Sequence, residues 1–297
     1  NILPNMIKFE DLKQQFVPEL TKAVTAFFQL SDSCSGKKDV SGLLTTLAFS
    51  VRPLSYQKIK ELESSVKGAS YQSPEQKKLA LVLFYDVLAM SGSNPALMLI
   101  KETIESSSSD LTLKDKPKLI VGALRSPFTP TRELMKEMLQ MVKSQKQEST
   151  IPVYNNGLIA LTNLVYRACV DPVTSVTAYP VRIYGRFCSQ DSEFITQELI
   201  PYLASELENA SNGGGDEETT KLILIASLGK IGHKRALVPL SKVIENIHET
   251  PMTRSLAVSS LRRVARQEPT LTRRLLLALI DNPAETTEVR VSAVAVL

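Results

Sequence analysis

Apolar residues recur with the spacing of an α-helix almost from end to end of this 297-residue chain, and nothing comparable alternates with period two. Leu79, Leu83, Val87 and Met90 make one stripe; Ile195, Leu199, Leu203 and Leu207 make another; Leu222, Ile225 and Leu228 make a third. Between stripes lie short punctuators: Pro74, the run 91–95 (Ser-Gly-Ser-Asn-Pro), Pro127 with Pro130, Pro152, Pro172, Gly232, Pro251, Pro269 and Pro283. The pattern predicts about fourteen helices of about 10 to 20 residues joined by short turns. Of two longer interruptions, 31–38 separates the first helix from the second and 209–218, polar and glycine-rich, reads as an exposed loop, while 173–186 is less helical than its neighbours.

With 43% hydrophobic and 22% charged residues, the chain can bury a large core, which excludes disorder and a minimal disulfide scaffold. Its net charge of +4 is spread over many segments and points to no nucleic-acid partner. The longest unbroken apolar runs, 79–85 and 275–280, fall far short of the roughly 18 residues that cross a bilayer, so no transmembrane span is expected. Residues 1–5 carry no starting Met, and 289–297 stop inside an amphipathic pattern. The expectation is a single α-helical domain over 1–297, an excerpt of a larger chain.

An internal repeat supports stacked helix pairs. Ala96, Leu97, Ile100 and Ile104 share their spacing with Ala236, Leu237, Leu240 and Ile244, each set following a glycine turn, at Gly92 and Gly232, with one gap allowed. One helix pair per roughly 30 to 45 residues is the signature of an α-solenoid, in which each pair buries its apolar face against the next. A single irregular helical bundle is the alternative.

Catalysis has no candidate set. The two histidines, His233 and His248, lie apart, no serine sits in a nucleophile elbow, and the run 213–215 leads into Asp216, Glu217 and Glu218, which would repel a phosphate. Three cysteines and two histidines lack the paired spacing of a zinc site, so neither metal nor cofactor is expected. His233, directly after Gly232, reads as a residue that caps or packs a turn. Arg262, Arg263, Arg266, Arg273 and Arg274, with Lys114, Lys116 and Lys118, alternate with apolar positions and read as solvated helix faces, the alternative being contact with anionic lipid headgroups or nucleic acid. Cys169 ends one amphipathic helix and Cys188 precedes another. Either they close a disulfide loop, worth about 3 kcal/mol in an oxidising compartment, or they are buried free thiols. Asn209-Ala210-Ser211 is an N-x-Ser glycosylation sequon within the polar interruption.

Several segments in order resemble the helical domain of the large lipid transfer proteins: vitellogenins, apolipophorins, the N-terminal part of apolipoprotein B and microsomal triglyceride transfer protein. They are Phe84-Tyr-Asp-Val-Leu-Ala-Met-Ser-Gly-Ser-Asn-Pro-Ala-Leu97, Leu164-Val-Tyr-Arg-Ala-Cys169, Cys188, Leu222-Ile-Leu-Ile-Ala-Ser-Leu-Gly-Lys-Ile-Gly-His233 and Thr287-Glu-Val-Arg-Val-Ser-Ala-Val-Ala-Val296. The likeness covers roughly residues 39 to 297 and leans towards an apolipophorin or an invertebrate vitellogenin; Lys230 stands where the family usually has Asn. The resemblance implies an all-α fold, a two-layered right-handed α-α superhelix of horseshoe shape, that wraps β-sheets of the same chain around a lipid cavity. It implies a Cys169–Cys188 disulfide, no enzymatic activity, phospholipid and neutral lipid as cargo of the parent chain, a lipoprotein receptor as a further partner, and secretion into haemolymph, plasma or yolk. Cys34 matches no family position. The competing expectation is a cytosolic HEAT- or armadillo-type scaffold that binds a protein in its groove.

Overall fold

The computed structural model describes residues 8–29, 37–106, 111–125, 127–173, 188–210 and 216–297. Among them every regular element is helical, with fourteen α-helices: α1 (Phe9–Gln29), α2 (Lys37–Val51), α3 (Tyr56–Gly68), α4 (Pro74–Ser91), α5 (Asn94–Glu105), α6 (Lys116–Arg125), α7 (Arg132–Ser144), α8 (Ile151–Val165), α9 (Ile200–Ala210), α10 (Asp216–Ile231), α11 (Leu237–Glu245), α12 (Pro251–Val264), α13 (Pro269–Asp281) and α14 (Thr287–Val296). Several begin where the sequence signals a start. Pro74 opens α4 behind Ser73, whose hydroxyl accepts from the Gln76 amide at 3.2 Å; Pro251 opens α12 behind Thr250, which accepts from the Thr253 amide at 3.1 Å. None of the described helices is long and apolar enough to cross a membrane. Cys34 and nearly all of 173–186 lie outside the described residues.

The chain divides into two compact units, Asn1–Thr129 with Lys143–Tyr154, and Pro130–Val142 with Asn155–Leu297. In the first, α2, α4 and α6 lie side by side as one layer and α1, α3 and α5 as another. Helix α4 touches α1, α2, α3, α5 and α6, which explains its sequence: Ala80, Leu81, Leu83, Phe84, Tyr85, Val87, Leu88 and Ala89 are all buried, apolar on more than one face. Phe84 meets Phe16 edge-on at 6.0 Å between centroids, and truncating such a ring to alanine costs about 3 to 5 kcal/mol.

In the second unit α10, α12 and α14 form the side-by-side layer, α11 and α13 pack against α12 and α14, and α9 packs on α10. The α10–α12 approach is close because Gly229 has no side chain; a Cβ there would stand 2.5 Å from that of Ser260. The repeated positions hold the same place in each unit: Ala96, Leu97, Ile100 and Ile104, and Ala236, Leu237, Leu240 and Ile244, are all buried. No gap is needed between them. Gly92 and Gly232 are both left-handed, at φ +63°, and each stands four residues ahead of its alanine.

The interruption 209–218 is shorter than its composition suggests, because α9 runs on through Ala210 and α10 starts at Asp216. The acidic run 216–218 begins a helix, and the Glu218 carboxylate in the first turn of α10 suits the positive end of its dipole.

Candidate functional site

The densest convergence of polar and covalent links lies in the second unit, where α8 ends. After Val165 the helix widens into one π-helical turn, Tyr166–Val170, closed by the Asp171 amide on the Tyr166 carbonyl at 2.8 Å. That turn aims Cys169 at Cys188; both are buried, their Cα atoms are 4.9 Å apart, and a disulfide joins their sulfurs. Residues 188–192 lead into a second π-helical turn, Phe194–Leu199, which continues as α9.

The end of α10 meets the same place. A Cβ on Gly232 would stand 2.9 Å from the Arg263 Cβ and 3.0 Å from the Tyr166 ring, so the backbone can pass only as glycine. Arg263, from α12, lays its guanidinium over the Tyr166 ring at 4.0 Å and donates to the Lys230 carbonyl at 2.8 Å and to Asn163 Oδ1 at 3.2 Å. Arg266 reaches the Tyr166 hydroxyl at 3.5 Å. His233 is buried; its Nδ1 accepts from the Arg235 amide at 3.1 Å and its Nε2 faces Asp191 Oδ1 at 3.9 Å. Accepting at Nδ1 assigns the ring proton to Nε2. Burial chiefly pushes the imidazole pKa down, Asp191 opposes this, and Lys234 and Arg235 reinforce it. Arg235 in turn donates to the Thr196 carbonyl at 3.1 Å. These contacts tie four segments together, and the buried His233 Nε2 has no hydrogen-bond partner among the described residues.

Two buried ion pairs occupy the loops at the start of α12 and α14. Lys221 Nζ lies 2.6 Å from Glu249 Oε1, and Arg254 forks onto Glu285 at 2.8 and 2.5 Å while its Nε donates to the Ile244 carbonyl at 2.7 Å. Burial would raise the Glu285 pKa, but the Arg254 fork and the Thr286 amide overcome it and hold the carboxyl below its ordinary value. In the first unit Lys116 plays the part of Arg254, its Nζ on the carbonyls of Ile104 at 2.9 Å and Ser106 at 2.8 Å. Lys116 is therefore buried, a correction to its reading as part of a solvated face. Sequence reasoning missed Lys221, Arg254, Glu249 and Glu285 altogether. The available signal was the recurrence of a basic residue shortly after each layer helix begins.

Among the sequence-derived sites, Cys169 and Cys188 come together and His233 caps the Lys234–Ala236 turn. Arg263 and Arg266 are structural ties, whereas Arg262, Arg273 and Arg274 are exposed. Asn209 stands apart from this junction, exposed in the last turn of α9; Ser211 of its sequon lies outside the described residues.

The family model of the vitellogenin TPR domain matches residues 18–297. The chain is 28% identical over 222 residues to a vitellogenin of Anthonomus grandis, covering 74% of this chain and 12% of that protein. With a vitellogenin of Bombyx mori it shares 22% over 259 residues, 87% of this chain and 14% of that one. With vitellogenin-2 of Periplaneta americana it shares 25% over 304 residues, 98% and 15%. The chain thus spans 12% to 15% of the length of these relatives. A solved structure concerned with lipid–protein interactions in lipovitellin matches with a TM-score of 0.65 over 93% of this chain and 26% of that one, at 15% identity, which is a likeness of fold. Residues 18–297 account for nearly the whole chain, and the chain belongs to the vitellogenin TPR domain family.

Proposed function

We propose that residues 1–297 form part of the helical arch of a secreted lipid-transport lipoprotein of the vitellogenin kind, and that this arch supports β-sheet domains of the same polypeptide around a lipid cavity. The observation that carries this reading is the family match over residues 18–297. Its role is architectural: stacked helix pairs present a surface on which sheets dock, while phospholipid and neutral lipid are held by the parent protein as a whole, with a lipoprotein receptor as a later partner. No reaction is assigned to it. The Cys169–Cys188 bridge and a glycan on Asn209 belong to the same reading, since both form on the secretory route to haemolymph, plasma or yolk.

Isolation of the intact protein on a density gradient, with extraction of bound lipid and non-reducing peptide mapping, tests the reading. The expected result is a buoyant particle carrying phospholipid and neutral lipid, a cystine peptide joining Cys169 to Cys188, and a glycopeptide containing Asn209. Lipid-free protein with both thiols reduced would overturn it in favour of a cytosolic scaffold.

A further inference from the structure

Of the buried side-chain atoms without a partner among the described residues, His233 Nε2 belongs to the one group whose charge changes near neutral pH. The ring is 1% exposed, so water at the surface does not serve it. Its Nδ1 already accepts from the Arg235 amide, which leaves Nε2 with the proton and in need of an acceptor. The Asp191 carboxylate faces it at 3.9 Å, beyond hydrogen-bond reach, on a side chain that is 61% exposed and has no other partner among the described residues.

Both nitrogens of the ring act on the same stretch of chain. Arg235, whose amide His233 holds, donates from its guanidinium to the Thr196 carbonyl at 3.1 Å. Thr196 lies in the π-helical turn Phe194–Leu199, and Asp191 lies just before that turn, after the disulfide-bonded Cys188. The segment leading into α9 therefore offers the Gly232 turn two points of attachment, Thr196 and Asp191, and His233 stands between them. The charged groups around the ring are few. Lys234 and Arg235 come from its own turn and Asp191 from the loop after Cys188; Lys230 ends α10, and Arg263 and Arg266 of α12 are engaged with the Lys230 carbonyl, Asn163 and Tyr166. Glu193 is exposed and Glu198 pairs with Lys136, so Asp191 is the carboxylate that acts on the imidazole.

We propose that His233 is an acid-operated clasp: neutral, it caps Arg235 and so fastens the turn to Thr196; protonated, it releases the Arg235 amide and fastens the turn to Asp191 instead. The proton comes from solvent and turns Nδ1 from acceptor to donor, which ends its bond with the amide. The imidazolium then bonds through Nε2–H to Asp191, a charge-assisted contact that settles at about 2.8 Å. Rotation of the exposed aspartate side chain supplies the approach. Burial, Lys234 and Arg235 together outweigh Asp191 and set the exchange on the acid side of the ordinary imidazole value. The Cys169–Cys188 bridge anchors the segment in both positions, so acid changes where it is held and not whether it is held. The clasp does not depend on the cargo of the parent protein.

Hydrogen exchange on the full-length protein, corrected for intrinsic rate and followed from pH 7.5 to 5.0, tests it. As pH falls, amides 234–237 should exchange faster and amides 190–193 about threefold slower or more, opposite responses that simple loosening of the junction does not give. Asp191→Asn removes the acid-side partner without touching the cap. The slowing at 190–193 should vanish, while the loosening at 234–237 should persist with its midpoint moved to lower pH, because the charge that favours the imidazolium is gone. His233→Gln should remove both responses. Faster or unchanged exchange at 190–193 in the unaltered protein would overturn the proposal, as would slowing there that survives either substitution. Asp191 is exposed, and exchange of Asp191→Asn matching the unaltered protein at pH 7.5 separates loss of the clasp from loss of folding.

Discussion

Two turns of this molecule meet the same problem and close it differently. At Gly92 in the first unit and Gly232 in the second, a layer helix ends in a left-handed glycine and leaves carbonyls to be satisfied beside the turn. Each unit sends an arginine. Arg52, from the end of the preceding layer helix α2, donates to the Ser91 carbonyl at 2.9 Å and stacks 4.9 Å from Phe49 and Phe128, both exposed. Arg263, from the following layer helix α12, donates to the Lys230 carbonyl and stacks on the buried Tyr166. The Gly92 turn is completed by neutral hydrogen bonds, with the Phe128 amide on the Gly92 carbonyl at 2.7 Å and the Thr129 hydroxyl on Asn94 at 2.9 Å. The Gly232 turn has a disulfide, a buried histidine and a crowded glycine. The repeat therefore conserves the shape of the turn and the cation on its carbonyl, while the means of locking it differ from one copy to the other.

The largest break in the comparison comes from the covalent lock. Replacing Cys169 and Cys188 together by serine frees a loop with a sequence separation of 19 and should cost the second unit about 3 kcal/mol, with the Gly92 turn unaffected. Amide exchange resolves this: protection should fall in α10–α12 and hold in α4–α5, and equal losses in both would show that the bridge does not act locally.

Glycine substitution sharpens the difference next. Alanine at either turn carries the left-handed penalty of about 1 to 2 kcal/mol. At Gly232 the added methyl also meets the Arg263 Cβ and the Tyr166 ring, which adds about 1 to 3 kcal/mol. Urea unfolding should therefore show Gly232→Ala costing about 2 to 5 kcal/mol, and a loss no larger than the left-handed penalty alone would mean that Tyr166 yields freely. For the arginines, Arg263→Ala should cost about 2 kcal/mol, since it leaves the Lys230 carbonyl and Asn163 short of a donor against a buried ring. Arg52→Ala, which leaves one carbonyl and two exposed rings, should cost about 1 kcal/mol in the same assay.

Much of this was legible in the sequence, and the missing parts share a cause. Helical period and proline punctuation gave the number of helices, and Gly92 and Gly232 marked the turns, because backbone preference and amphipathic burial are local. Cys169 and Cys188 could be paired as candidates, though not separated from free thiols without the family likeness, since connectivity depends on spatial approach. Arg254 goes unnoticed in the sequence and Lys116 reads as part of a solvated face, because a cation near a helix start ordinarily faces water. Only the packed neighbour, with the carbonyls of Ile244 or Ile104 turned towards it, makes burial favourable. Glu285 likewise reads as a loop carboxylate until Arg254 is seen 2.8 Å away.

The smallest expected effect is the one that acid should draw out of the second turn alone. His233 caps the Lys234–Ala236 turn through Nδ1, which works only while that nitrogen is unprotonated. Burial holds its folded pKa below the ordinary 6.5, helped by Lys234 and Arg235 and opposed by Asp191. Between the lowered folded value and 6.5 the unfolded chain binds more protons than the folded one. The stability contributed by the neutral ring is therefore fully present above 6.5 and is lost as pH falls from 6.5 towards the folded value. The Gly92 turn has no histidine, so acidification should loosen residues 229–237 and leave 91–97 alone. Hydrogen exchange corrected for intrinsic rate, compared at pH 7.5 and 5.5, reads this directly. His233→Gln keeps an acceptor for the Arg235 amide but cannot titrate, so it should abolish the difference between the two turns; a difference that survives this change would assign the acid sensitivity to another group.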